Sequence, residues 1–171
     1  MVGVEVKREK SFVGNAKELM GKVIEGVERK AKMTIVRFRN LDKVLVIHLK
    51  MTGQLIYLSG NHRVVGGHPT PDWVNKLPSR STRVIVDFDN GAKLFFNDLR
   101  VFGWMKLMAN SDWQMADSKL PPDVTEKEFT LPYFRQVLDK SGRAVKLVLL
   151  DQDKFGGVGN IYANDALYLA R

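Results

Sequence analysis

The chain has 171 residues, enough for one domain with a substantial core or for one domain and part of another. Its 27 Lys and Arg residues outnumber 19 Asp and Glu residues, and the net charge of +8 favours nucleic acid or another anionic surface as partner, although a basic solvated surface is the plainer alternative. No apolar run is long enough to span a membrane and residues 1–10 lack an apolar signal segment, so we expect neither a membrane partner nor a signal peptide. The absence of cysteine excludes disulfides and thiolate metal sites and fits a cytoplasmic location.

Residues 22–58 have the alternation and the β-branched residues of short strands. The pattern predicts strands at Lys22–Lys30, Thr34–Phe38, Val44–Leu49 and Gln54–Leu58. Residues 60–81 hold three glycines and three prolines, which predicts a long loop of the kind that is often functional.

The β pattern continues to about residue 108. It predicts strands at Arg83–Phe88, Lys93–Phe96 and Trp104–Met108, with a hairpin turn at Asp89–Gly91. The first two-thirds of the chain is therefore expected to be an antiparallel β-sandwich.

Pro121 and Pro122 mark a boundary, after which apolar residues recur at helical spacing. Helices are predicted at Thr130–Lys140, Arg143–Leu150 and Asn160–Ala170, with Asn160 as the N-cap of the last. We therefore predict an α+β protein with a β-sandwich over residues 1–121 and helices over residues 122–171.

A glycine-rich connector, GGVG at 156–159, precedes the last helix. Glycines allow close backbone approach, and the free N–H groups of a helix start attract phosphate. A dinucleotide-binding fold is rejected because Tyr162 occupies the third glycine position and the preceding segment is helical; no Gly-Lys-Ser/Thr follows, so a P-loop is rejected too. A plain turn between helices is the alternative.

Four ordered motifs resemble those of formamidopyrimidine-DNA glycosylases and their endonuclease VIII relatives. The stretch LLDQDKFGGVGNIYANDALYLA resembles the helix–two-turn–helix signature of that family. RKAK at Arg29–Lys32 resembles its catalytic-lysine hairpin, HLKMTGQ at His48–Gln54 its intercalation loop, and DLRVFGW at Asp98–Trp104 its second void-filling loop. The resemblance covers roughly residues 18–171 and is stronger to the formamidopyrimidine branch of the family. It implies that the predicted helices are the first helices of a helix–two-turn–helix domain.

Lys32 is the candidate catalytic residue. Arg29 and Lys30 are neighbouring cations, which would disfavour the ammonium form, lower the pKa of Lys32 and make it a better proton shuttle. The resemblance implies that this lysine contacts the phosphate of the damaged nucleotide and assists β-elimination. A solvated surface lysine is the alternative.

Met51, Arg100 and Phe102 are the candidate void-filling residues. An enzyme that extrudes a base must fill the hole that the base leaves, and Met and Phe are suitable wedges. Arg can hydrogen-bond to the orphaned partner base. Ordinary core packing is the alternative for Met51 and Phe102.

Four residues near the last helices are candidate DNA-binding residues. Lys146 and Asn160 resemble the phosphate contacts of the family, and Lys140 and Arg143 add positive charge nearby. Such contacts fix the register of a duplex without reading its sequence. A solvated charged helix face is the alternative.

The sequence also departs from the family. The family nucleophile is an N-terminal proline followed by glutamate, whereas this chain begins Met1-Val2-Gly3 and has no proline before Pro69. We therefore expect the family's first helix to lie upstream and these 171 residues to lack the glycosylase step. The family's four-cysteine zinc finger is also absent, so no metal site and no cofactor is expected in this chain.

A further departure concerns a family histidine, whose place is taken here by Ser81. Arg80 or Arg83 could bind DNA there instead of the histidine, and Lys50 and Arg83 are further candidates for binding the DNA backbone.

The resemblance implies a monomeric fragment of a bifunctional DNA glycosylase and abasic-site lyase of base excision repair. It would remove 8-oxoguanine and formamidopyrimidines from duplex DNA held in a groove between the sandwich and the helices. Three alternatives stay open: a glycosylase for oxidised pyrimidines, a non-catalytic protein that binds damaged DNA, and an inert fragment with exposed apolar surface.

Overall fold

A computed structural model describes residues 1–171 and forms two compact units. Unit 1 comprises Met1–Glu28 and Met33–Trp113, and unit 2 comprises Arg29–Lys32 and Gln114–Arg171. The predicted domain limits placed residues 29–32 with the sandwich, whereas here they group with the C-terminal helices. None of the helices has the length and apolar character needed to cross a membrane.

Ten strands and four α-helices follow one another along the chain. The strands are β1 Gly3–Val6, β2 Phe12–Val13, β3 Ile24–Lys30, β4 Met33–Phe38, β5 Lys43–His48, β6 Gly53–Ser59, β7 His62–Gly67, β8 Thr82–Asp87, β9 Lys93–Asp98 and β10 Trp104–Ala109. The helices are α1 Asn110–Asp117, α2 Leu131–Asp139, α3 Val145–Leu149 and α4 Asn160–Ala170.

The strands form two five-stranded sheets, in the orders β1-β8-β9-β6-β7 and β2-β10-β5-β4-β3. The neighbours β5 and β10 are antiparallel, with Met105 opposite Ile47, and the short β2 pairs with β10 in parallel. The main core cluster draws Val84 and Phe96 from the first sheet and Ile47 and Met105 from the second, so the apolar faces of the two sheets pack together. The predicted α+β class with an antiparallel β-sandwich is confirmed.

The prediction of one long loop over residues 60–81 is wrong. Residues His62–Gly67 form β7, which pairs with β6, and Pro71–Trp73 form a short 3-10 helix. The strand β7 was not predicted from the sequence because this edge strand is largely exposed and ends in two glycines. Gly67 has a φ of 102°, and a Cβ there would lie 2.4 Å from the carbonyl oxygen of Gly53, so glycine marks a close approach of two strands.

In unit 2 four aromatic rings pack together. Phe155 is fully buried, and the rings of Phe129, Tyr133 and Phe134 lie around it with centroids 5.5–6.1 Å away. The helix α2 is capped by the Thr130 side chain, which accepts a hydrogen bond from the backbone N–H of Tyr133.

The other helix ends differ from the predictions in two respects. The helix α3 is a single short turn, Val145–Leu149, rather than Arg143–Leu150. The N-cap of α4 is Gly159, with extended backbone and no side-chain cap, so the assignment of Asn160 as N-cap is wrong. Asn160 is instead the first helical residue, which leaves its exposed side chain free of a capping role.

Candidate nucleic-acid interface

Two loops of unit 1 are tied together by one buried carboxylate. Loop 49–52 joins β5 to β6, and loop 99–103 joins β9 to β10. Asp98, the last residue of β9, has no exposed surface and accepts hydrogen bonds from the Thr52 hydroxyl and from the backbone N–H groups of Arg100 and Gly103. Because these donors come from both loops, the carboxylate fixes the position of each loop relative to the other.

Glycines at the ends of these loops allow tight turns. The N–H of Gly53 donates to the carbonyl of Leu49 at 2.8 Å, and a Cβ at Gly53 would lie 2.3 Å from that oxygen. Lys50 and Val101, within the loops, have φ angles of 54° and 58°. The loops therefore reverse direction sharply and present their tips outward.

The structure brings Met51, Arg100 and Phe102 together at these tips. The Arg100 guanidinium contacts the Met51 sulfur at 3.5 Å, and its central carbon lies 4.7 Å from the centroid of the Phe102 ring. Met51 is 61% exposed and Phe102 is 50% exposed, which rules out core packing for both. Two exposed apolar side chains held against a guanidinium have the shape and chemistry of a wedge for stacked bases.

The remaining candidates of unit 1 differ in whether their side chains are available for a DNA contact. The Arg83 side chain donates to the carbonyls of Asp98 and Arg80, at 2.8 and 3.1 Å, so its role there is structural. Ser81 is buried and its hydroxyl donates to Asp72, so its side chain is engaged within the protein. Lys50 is exposed.

In unit 2 the hairpin Arg29–Lys32 lies against the start of α4. The Lys32 amine is 3.7 Å from the place where a Cβ of Gly159 would lie, next to the exposed Asn160. The free N–H groups of a helix start carry partial positive charge, so an amine beside them adds to the attraction for phosphate. Lys32 and Asn160, predicted separately from the sequence, are therefore neighbours.

The two cations beside Lys32 are each paired with a carboxylate. Arg29 donates to both oxygens of Asp123 at 2.6 and 3.0 Å, and Lys30 donates to Glu126 at 2.6 Å. The hydrogen bond from Arg29 is the main cause that lowers the pKa of Asp123 to about 2, and the bond to Glu126 raises the pKa of Lys30. Carboxylates therefore compensate the charges of both neighbouring cations, and the effect of these cations on Lys32 stays a prediction.

Asp123 is a central residue of this region that the sequence did not reveal. Its side chain is 1% exposed and also accepts hydrogen bonds from the backbone and the hydroxyl of Thr125. A Cβ at Gly157 would lie 2.5 Å from the Asp123 carboxylate, and Gly157 has a φ of 87°. The second glycine of the connector is therefore required by this carboxylate as well as by its backbone conformation.

An open pocket of about 500 Å³ lies beside this ion pair. Arg29, Asp123, Gly157 and Tyr162 are among its lining residues, and Tyr162 is 74% exposed. The pocket therefore combines a cation with an exposed aromatic ring.

The basic residues of α2 and α3 differ in their surroundings. Lys146 and Lys140 are exposed, at α3 and at the end of α2. Arg143 donates to Asp151 at 2.7 Å, and this bond is the main cause that lowers the pKa of Asp151. Lys140 and Arg143 both line an open cleft of about 400 Å³. No group of three or more His, Cys, Asp or Glu side chains is placed to hold a metal ion.

Family models match most of the chain. The model of the formamidopyrimidine-DNA glycosylase N-terminal domain matches residues 1–105, and that of the formamidopyrimidine-DNA glycosylase H2TH domain matches residues 120–171. A formamidopyrimidine-DNA glycosylase of Herpetosiphon aurantiacus is 34% identical over 156 residues, which is 91% of this chain and 52% of the relative. One from Streptococcus pneumoniae serotype 4 is 34% identical over 158 residues, with the same coverage of 91% and 52%. The chain thus spans about half the length of the curated relatives it matches.

Solved structures of similar fold contain DNA. The Lactococcus lactis Fpg in complex with DNA that contains an abasic site has a TM-score of 0.80 and 26% identity, covering 99% of this chain and 59% of that one. The Lactococcus lactis Fpg with a Fapy-dG containing DNA has a TM-score of 0.80 and 27% identity, covering 99% and 60%.

Proposed function

Because the chain belongs to the formamidopyrimidine-DNA glycosylase family, we propose that it is the sandwich and early helical part of a base-excision-repair glycosylase and abasic-site lyase. Its substrate would be duplex DNA that contains 8-oxoguanine, a formamidopyrimidine or an abasic site. The observation that carries the proposal is the exposed cluster of Met51, Arg100 and Phe102. Its exposure has no use in folding, whereas a base-extruding protein needs such a wedge.

The wedge would work by substitution in the base stack. Extruding a nucleotide costs a few kcal/mol of stacking and pairing, and the energy is lowest at a damaged or abasic site. Phe102 and Met51 would occupy the emptied space, while the Arg100 guanidinium would hydrogen-bond to the unpaired partner base. The Asp98 hydrogen bonds would hold both loops in place during insertion, so little ordering would be needed on binding.

Lys32 and the start of α4 would bind the DNA phosphate backbone beside the lesion. A phosphate there would accept hydrogen bonds from the free N–H groups of the helix and from the Lys32 amine. Lys146 and Asn160 would add contacts that set the register of the duplex. The Lys32 amine would assist β-elimination once the base has been removed.

We also propose that these 171 residues alone do not excise a base. The amino group of Met1 donates to the carbonyl of Lys22 at 2.8 Å and Met1 is buried, so this amine is not presented to a substrate. The resemblance assigns nucleophilic attack to a proline followed by glutamate, and neither stands at Met1-Val2. The lesion preference for purines, the monomeric state, the lack of a cofactor and the cytoplasmic location stay predictions.

The test measures binding and chemistry separately. Fluorescence anisotropy should show tighter binding to a duplex with a tetrahydrofuran abasic analogue than to the undamaged duplex, with a Phe102→Ala and Met51→Ala double variant losing that preference. Equal affinity for both duplexes would contradict the proposal. Lys119→Ala changes an exposed lysine outside the proposed contacts and serves as control.

Cleavage separates the enzyme from the non-catalytic alternative. Borohydride should trap the chain on a natural abasic site if residual lyase chemistry is present, and Lys32→Ala should abolish the adduct. Binding without any adduct or strand cleavage favours a protein that only recognises damaged DNA. Excision of oxidised pyrimidines in preference to 8-oxoguanine, by a longer protein that contains these 171 residues, would favour the other branch of the family.

A further inference from the structure

The ion pair Arg29–Asp123 joins the hairpin that carries Lys32 to the segment beside the glycine-rich connector. The proposed function requires these two segments to keep a fixed position relative to each other. We propose that Asp123 is a positioning residue, which holds the Lys32 amine at the start of α4 through Arg29 on one side and through the glycine-rich connector on the other. This inference rests on the proposed function for its biological meaning, but the geometry that it asserts can be tested without DNA.

The side chain of Asp123 controls the hairpin that carries Lys32. Arg29 donates two hydrogen bonds to the carboxylate and a third, at 2.7 Å, to the carbonyl of Ala31. Ala31 has a φ of 51°, an uncommon conformation for a residue with a side chain, and it directly precedes Lys32. The guanidinium therefore links the buried carboxylate to the turn that sets the direction of Lys32.

The backbone around Asp123 controls the connector that leads to α4. Asp123 forms a parallel bridge with Gly156, the N–H of Val124 donates to the Gly156 carbonyl, and the N–H of Gly156 donates to the Pro122 carbonyl at 3.0 Å. The Asp123 carboxylate also packs so closely on Gly157 that a Cβ there would lie 2.5 Å away. The Asp123 side chain thus touches both the hairpin, through Arg29, and Gly157, three residues before Asn160, while the backbone of its neighbours Pro122 and Val124 holds the connector.

A carboxylate is required for this task because both oxygens of the Asp123 side chain accept hydrogen bonds. Arg29 supplies two N–H groups, and Thr125 supplies its backbone N–H and its hydroxyl. An asparagine has the same shape but only one acceptor oxygen, so its NH₂ group would face at least one donor. Asp123→Asn should therefore loosen the hairpin while changing the volume very little.

The experiment follows the backbone amide resonances of Gly159 and Asn160 in the 171-residue chain. In the wild-type background, Lys32→Met should shift both resonances, because the amine lies against Gly159. In the Asp123→Asn background the same substitution should shift them by less than half as much. Asp139→Asn, an exposed aspartate of the same unit, is the matched control and should preserve the full shift.

Two outcomes would overturn the inference. Shifts of equal size with Asp123 and with Asn at this position would show that the carboxylate does not position Lys32. No shift in the wild-type background would show that Lys32 does not lie at the start of α4. If the Asn variant does not fold, Arg29→Lys replaces it, since lysine keeps the charge but cannot bind both carboxylate oxygens in a fork, and the same reduction is expected.

DNA binding adds a functional readout that a general loss of stability would not reproduce. The factor by which Lys32→Met weakens binding to the abasic-analogue duplex should fall about threefold or more when Asp123 is replaced by Asn. An unchanged factor would count against positioning. A chain that binds no damaged DNA would instead contradict the proposed function, and the amide shifts would still decide whether Asp123 positions Lys32.

Discussion

Replacing Asp123 by asparagine should destabilise unit 2 by an amount that depends on pH. The pKa of this carboxyl is about 2 in the folded chain against an ordinary value of 3.8, mainly because Arg29 donates to it. Each unit of pKa difference corresponds to about 1.4 kcal/mol, so the folded environment favours the ionised form by about 2 kcal/mol. The Asp123 side chain is 1% exposed, but the side chain of Arg29 is 52% exposed and is partly screened by solvent, so about 2 kcal/mol is an upper value.

The direction of the pH dependence follows from the lowered pKa. The stabilising effect is fully present above the unfolded pKa of 3.8 and is lost as the pH falls through the folded pKa of about 2. At about pH 6 the wild-type chain should exceed Asp123→Asn by about 2 kcal/mol in free energy of unfolding, and at about pH 3 by about 1 kcal/mol. Asparagine does not titrate, and all other carboxyl groups are common to both chains. The contributions of those groups therefore largely cancel in the difference.

Urea denaturation followed by far-UV circular dichroism provides the assay, since α2, α3 and α4 belong to unit 2. Asp139→Asn serves as control, because Asp139 is exposed and its replacement should change the free energy of unfolding by less than about 0.5 kcal/mol. A difference between wild type and Asp123→Asn that is the same at both pH values would refute the ion-pair argument. So would a difference that grows on acidification.

Three further predictions concern unit 1 and the basic surface. Gly53→Ala should lower the free energy of unfolding by about 2 kcal/mol or more, because the new Cβ would lie 2.3 Å from the Leu49 carbonyl oxygen. Urea denaturation followed by tryptophan fluorescence measures this loss, and an unchanged free energy of unfolding would disprove the close contact. Phe102→Ala should weaken binding to abasic-analogue DNA by roughly 1 kcal/mol or more without weakening binding to undamaged duplex, and anisotropy titrations that show equal losses would contradict the wedge. Lys146→Ala should reduce the slope of log affinity against log salt by about one, as expected when one lysine no longer neutralises a phosphate; an unchanged slope would remove Lys146 from the interface.

The sequence predicted the elements whose signals are local. Alternating apolar residues identified most of the sandwich strands, and apolar residues at helical spacing identified α2 to within one residue at each end. The strand β7 was missed because Gly66 and Gly67 are usually turn residues, whereas here Gly67 serves a close approach to Gly53. That approach joins residues of neighbouring strands and leaves no trace in the local pattern.

Of the candidate site, the sequence predicted the residues that lie in recognisable motifs but not the contacts between distant parts of the chain. The motifs led to Met51 and Phe102, but core packing stayed open as an alternative until the structure showed both side chains exposed, because apolar residues usually belong to the core. Asp123 was missed altogether, since its partner Arg29 lies 94 residues earlier in the chain. A cation and an acid that far apart have no local spacing that predicts a pair.

The grouping of residues 29–32 with the C-terminal unit has a consequence for how this protein can change during evolution. A recombination event near residue 114 would exchange the helices but leave Arg29 and Lys30 behind with the sandwich. In such a chimaera the partners Asp123 and Glu126 would be replaced by the residues of another protein at these positions, which need not be acidic. Substitutions at positions 29 and 123 should therefore co-vary among homologous chains, and a chimaera should regain its stability when the four-residue hairpin is transferred together with the helices.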